Sequence, residues 1–160
     1  MIKTVGVSVI LAASFSAAVY NSFAYKKKVS FVEGILDLIS FIRSRILYFR
    51  DPLDHIYSDF ENKALDRSGF LDELRRSGLS EALKIPAVSG LFEKRIYAQL
   101  KSFAAGLGKT SADEQINSCN MCIDMMKTDV EKLRREMPEK THMYSSLCII
   151  AGLGAALLLI

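Results

Sequence analysis

Residues Thr4 to Tyr25 form an unbroken run of 22 positions without a charge, and Lys26-Lys27-Lys28 follow at once. As a helix, such a run is long enough to cross a hydrocarbon core of ~30 Å. The lysine triplet on one flank, against the single Lys3 on the other, orients that span with the triplet on the cytoplasmic side. The chain closes on a second run, Met143 to Ile160, with 18 uncharged residues. At ~1.5 Å per residue it covers ~27 Å, just enough to cross. Lys140 and the Arg134-Arg135 pair precede it, so its N-terminal side is again cytoplasmic. Both spans predict one topology: termini outside, everything between them inside.

A cleaved signal peptide competes for the N-terminal run, because Ser22-Phe23-Ala24 is a passable small-x-small site. Against it stand the length of the run and the lysines behind the site, which oppose export. The expected organisation is therefore a transmembrane helix over 1–25, a cytoplasmic domain over 26–142 and a second transmembrane helix over 143–160. Ala13/Ala17, Ser14/Ala18, Ala151/Ala155 and Gly152/Ala156 are small pairs four apart, which let helix backbones approach closely in lipid.

All 18 acidic and 20 of the 21 basic residues fall between Lys26 and Lys140. That middle segment carries a net +2, too little to point to nucleic acid. Three cysteines without a secreted-type framework fit reduced thiols.

The middle reads as all-α. Ser30-Phe31-Val32-Glu33 has the form of a capping box, and Phe31, Ile35, Leu38, Ile42, Ile46 and Phe49 recur every three or four residues, predicting a helix from Phe31 to about Arg50. Asp51-Pro52 should end it and start the next, with Asp51 as the cap. Leu53, Ile56, Tyr57 and Phe60 give that second helix a short apolar face. Between Glu61 and Ser89 the signals are choppier: a short helix near Phe70–Leu74 ending at Gly78, then a turn or two stopped by Pro86. Ser89 is expected to cap a helix from Gly90 to Ala105, with Gly106 and Gly108 in left-handed caps beyond it. Ser111-Ala112-Asp113-Glu114 is a second capping box opening a helix to about Glu136, which Pro138 should interrupt. On it Ile116, Cys119, Ile123, Met126, Val130, Leu133 and Met137 alternate at spacings of three and four. This is either the buried face of a bundle helix or a coiled-coil seam. No segment shows the two-residue alternation of a strand.

Chemistry-bearing motifs are sparse. Gly106-Leu107-Gly108-Lys109-Thr110 imitates the end of a phosphate loop, but Phe103 stands where its first glycine belongs and a helix, not a strand, precedes it. Cys119-Asn120-Met121-Cys122 lacks a second ligand pair for zinc, and it lies two turns inside a helix, not at the N-terminus that stabilises thiolate. His55 lies near Asp51, Asp54 and Asp59, which is ordinary surface chemistry; His142 adjoins the second apolar run. No catalytic, cofactor or metal residues are expected, and no enzymatic activity.

Taken together, these features resemble the stage III sporulation protein AB family in length, in a span at each end and in a helical middle. Ile46-Leu47-Tyr48-Phe49-Arg50-Asp51-Pro52-Leu53 is similar to the family's Ile-x-Tyr-x-x-Thr-Pro-Leu corner. Leu107-Gly108 followed by Gln115 is similar to its second signature, and the apolar tail after Gly152 also fits. Two positions depart: Arg45 stands where the family usually has glutamate, and Asp51 replaces the threonine. The resemblance implies a protein of the mother-cell membrane facing the forespore, part of a secretion-like channel complex. It also implies a helical bundle similar to the platform protein of type II secretion and type IV pilus machines. Its implied partners are a secretion-type ATPase, similar to stage III sporulation protein AA, and other channel subunits, with oligomers possible. The exposed charges expected to serve docking are Arg43, Arg45 and Arg50. A membrane-anchored dimeric coiled-coil adaptor for signalling or scaffolding is the alternative.

Overall fold

The computed structural model describes the backbone of residues 2–159 and the side chains of residues 23–136, with Ser146 and Ile150 beyond them. Among the described residues there are helices and no strands: α1 (Ile2–Phe49), α2 (Leu53–Asp59), α3 (Lys63–Asp66), α4 (Phe70–Ser77), α5 (Leu79–Ala82), α6 (Pro86–Ser89), α7 (Lys94–Gly106) and α8 (Ala112–Leu159). The all-α reading holds. The chain groups into two compact units, Met1–Lys28 with Lys132–Ile160, and Val29–Glu131. Among the described residues no helix is long and apolar enough to cross a membrane. The two expected spans, 1–25 and 143–160, lie almost wholly outside the residues whose side chains are described.

Four expected boundaries move. Ser30 starts nothing, because α1 runs unbroken through it. A capping box needs an extended residue at its first position, and no glycine or proline between Tyr25 and Ser30 turns the backbone out of the helix. Pro138 likewise lies inside α8; proline removes one backbone donor, but its fixed φ is near the helical value. Finally, α7 begins at Lys94 and not at Gly90. The Ser89 hydroxyl donates back to the Pro86 carbonyl at 3.2 Å, closing α6 in place of capping α7. Pro86, expected as a stop, is the first residue of α6.

The core of the Val29–Glu131 unit is built on one face of α1. Val32, Ile35, Leu38, Ile39 and Ile42 are fully buried, and Phe31 and Ile46 nearly so. Phe31 meets the edges of Phe70 and Phe92, with centroids 5.7 and 6.3 Å apart. Facing elements supply Leu65, Phe70, Leu71, Leu74, Leu83 and Leu100. On α8, Cys119, Ile123, Met126 and Val130 are buried too. Their three-four periodicity therefore marks the inner face of a bundle helix, and in this chain it is already covered.

The segment with the weakest sequence signal is held by local polar bonds. Asn62 Oδ1 accepts from the amides of Ala64 (2.9 Å) and Leu65 (3.3 Å), capping α3. Gly69 and Gly78 take φ of 72° and 81°, which lets α4 start and stop sharply. Arg75 donates to the Phe60 carbonyl at 3.0 Å, and Tyr97 to the Leu83 carbonyl at 2.9 Å. These two bonds tie α4 to the end of α2 and α7 to the end of α5.

Candidate functional site

The two stretches that carry the family resemblance are the corner after α1 and the loop before α8. The first corner is organised by Arg45. Its guanidinium pairs with Asp51 at 3.1 Å and with Asp59, and it lies over the rings of Phe41 (5.2 Å) and Phe49 (5.6 Å). Phe41 in turn touches Phe60, centroids 5.4 Å apart. A planar guanidinium suits this position because it bonds through its edge and stacks through its face. The clamp brings the end of α2 back beside α1. Asp51 consequently does not cap α2, whose N-cap is Pro52 with no side-chain bond.

Arg50 completes the corner in a left-handed conformation, φ 52°, the only non-glycine with positive φ among the described residues. It lets α1 stop at Phe49, as glycine does at other helix ends. In the last turn of α1, just before Arg50, Leu47, Tyr48 and Phe49 lie outward at 41, 74 and 65% exposure. Phe49 was expected to extend the buried stripe of α1 and does not. The periodic face closes at Ile46, and the next residues belong to the corner.

The second corner is built on backbone bonds. Gly108 has φ 80° and donates its amide to Gln115 Oε1 at 3.2 Å. Gln115 Nε2 returns a bond to the Thr110 carbonyl at 2.8 Å. Ser111 and Glu114 form the reciprocal capping box expected of them, each bond 3.3 Å. Of the two glycines expected in left-handed caps, only Gly108 has positive φ; Gly106 ends α7 as a helical residue. The Gly108 amide is thus committed to Gln115 and is not aimed at a phosphate. The two corners meet: a Cβ at Gly108 would lie 2.9 Å from Leu53 Cδ1.

A groove of about 320 Å³ opens beside the second corner between α7 and α8, lined by Gln99, Phe103, Leu107, Gln115, Met121, Cys122 and Met125 among others. Its one thiol, Cys122, is pushed up to about 12 by burial and then by Cys119. Burial raises Cys119 to about 11, partly opposed by Arg43. Neither is a thiolate near neutrality, so neither is poised for nucleophilic or redox work. Among the described residues no group of three or more His, Cys, Asp or Glu side chains could hold a metal. His55 is exposed on α2.

The three arginines singled out from the sequence have different fates. Arg45 is the clamp, 26% exposed at its side chain. Arg43 is half-buried, its Nε shielded from solvent and without a hydrogen-bond partner. Arg50 is exposed. Sequence reasoning missed the outward strip Leu47-Tyr48-Phe49. Its signal was three consecutive large apolar residues of which the three-four stripe of α1 claims only Phe49.

The described residues thus form an all-helical bundle whose two corners interlock at Leu53 and Gly108. The chain belongs to the stage III sporulation protein AB family, whose sequence model matches residues 3–160. No curated protein and no solved structure matches it.

Proposed function

We propose that this sporulation protein is a non-enzymatic membrane platform. Residues 1–25 and 143–160 anchor it in the mother-cell membrane with both termini outside. The helical middle docks a cytoplasmic secretion-type ATPase, similar to stage III sporulation protein AA, to a channel complex. Family membership supports the setting. The observation that carries the docking role is the strip Leu47, Tyr48, Phe49 and Arg50: large apolar groups and a cation held outward on a corner fixed from behind by Arg45 and Leu53. Aromatic and arginine side chains on a rigid support are the usual anchors of protein interfaces. Arg45 contributes by bracing the corner, Arg50 from within the strip, and Arg43 from the preceding turn of α1.

The test is capture of the ATPase by the full-length protein in detergent. Tyr48→Ala with Arg50→Glu is expected to weaken capture at least tenfold, while Lys84→Glu on another face leaves it unchanged. Equal capture by the corner variant would reject the surface.

A further inference from the structure

Charge is divided unequally between the two units. Met1–Lys28 with Lys132–Ile160 holds eight basic and two acidic residues, a net +6. Val29–Glu131 holds 13 basic and 16 acidic, a net −3. The small overall charge of +3 conceals this polarity.

The basic residues of the first unit sit next to its uncharged runs. Lys26, Lys27 and Lys28 occupy the turn of α1 that follows Tyr25 without a break in the helix. Three successive helical positions point ~100° apart, so the triplet spreads around the axis. Lys132, Arg134 and Arg135 lie on α8, which continues unbroken into the second run. From Arg135 to Met143 is ~12 Å of helix, comparable to a headgroup layer plus a Debye length. Lys26 and Lys27 are exposed, Lys28 is half-exposed, and Lys132, Arg134 and Arg135 are exposed.

Building on the two-span reading, we infer that this collar binds the anionic headgroups of the membrane that holds the chain. Clustered basic residues immediately cytoplasmic of a span gain from a negative leaflet and lose that gain as salt rises. A partner protein is the poorer occupant, because the charge is concentrated beside the apolar runs while the rest of the chain carries the opposite sign. The negative Val29–Glu131 unit gains nothing from such a surface.

The full-length chain is reconstituted into vesicles of phosphatidylcholine alone and of phosphatidylcholine with phosphatidylglycerol. Carbonate extraction reports insertion, and spin-labelled lipids report which headgroup associates. Phosphatidylglycerol is expected to be preferred by on the order of tenfold. The preference should fall towards unity in high salt and in the variant K26Q/K27Q/K28Q/R134Q/R135Q, which still inserts. Soluble glycerol phosphate at matched ionic strength should leave it unchanged. Insertion with no headgroup preference would overturn the collar alone. Competition by glycerol phosphate would assign it to a free anion and overturn the lipid assignment. Extraction from both vesicles would remove the two-span reading and the collar together.

Discussion

Leu53 rests against the bare Cα of Gly108: a Cβ placed there would come within 2.9 Å of Leu53 Cδ1. The two residues are distant in sequence, and each belongs to one of the chain's two corner signatures. Gly108 is required twice, by a left-handed backbone at φ 80° and by this close approach. Gly108→Ala should therefore destabilise the Val29–Glu131 unit by roughly 1–3 kcal/mol, mostly left-handed strain with a smaller overpacking part, because Leu53 Cδ1 is the tip of a half-buried side chain that can turn aside. Leu53→Ala in the same chain should restore the overpacking part only. Thermal unfolding of the single and double variants checks this, and strict additivity would mean that the corners do not press on each other.

Arg45 and Arg50 make opposite predictions. Arg45 holds two carboxylates and two rings, all partly solvent-exposed. Exposed ion pairs contribute ~0.2–1 kcal/mol and exposed cation–π contacts about as much. Arg45→Lys should lose ~1 kcal/mol because an ammonium cannot bond both carboxylates and stack at once, and the loss should shrink in high salt. Arg50→Gly should instead stabilise, by up to ~1 kcal/mol, by relieving left-handed strain. Urea midpoints measure both signs. Stabilisation by Arg45→Lys, or destabilisation by Arg50→Gly, would contradict the geometry.

The two corners show why some features were legible in the sequence and others not. Ser111–Glu114 was readable because a capping box joins neighbours three apart and nothing upstream competes. The inner face of α8 was readable because helical periodicity and burial coincide from Cys119 to Val130. Ser30 carried the same local pattern and failed, since a helix already in progress keeps its own bonds. Arg45 read as a surface charge because its partners, Asp51 and Asp59, come from beyond a chain reversal that local pattern does not specify. The Leu53–Gly108 contact depends on tertiary packing. The family resemblance pointed to both stretches without saying that they touch.

Alkaline stability follows from three buried acids. Cys119 and Cys122 are raised from 9.0 to about 11 and about 12, in both cases chiefly by burial. Tyr57 is raised from 10.0 to about 12 by burial and by Asp54, against a lowering bond from the Leu79 backbone. In each case the native state binds its proton more tightly than the unfolded chain. Stability from these groups is thus intact below about pH 9 and falls as pH rises from there to about 12. Each group contributes on the order of 1–2 kcal/mol to that fall. In a Cys148→Ser background, iodoacetamide at pH 8 should label native Cys119 and Cys122 far more slowly than the urea-unfolded chain. Rapid native labelling, or a flat stability profile between pH 9 and 12, would show that the thiols are not held as described.

Gly34 sets how closely α3 can approach α1. A Cβ there would lie 2.9 Å from Leu65 Cγ and 3.1 Å from Asn62 Oδ1. Neither neighbour yields easily: Leu65 is fully buried, and Asn62 Oδ1 is the acceptor that caps α3. Helix propensity alone favours alanine over glycine by ~1 kcal/mol, while overpacking costs ~1–3 kcal/mol. Gly34→Ala is therefore expected to destabilise by about 1 kcal/mol. The discriminating measurement is its cost in a Leu65→Ala background. With the Leu65 side chain gone only the 3.1 Å approach to Asn62 Oδ1 still opposes the gain in propensity, so the same substitution should become close to neutral. A stabilising Gly34→Ala in the unmodified chain would mean that α3 gives way freely, and that the glycine is not what admits it.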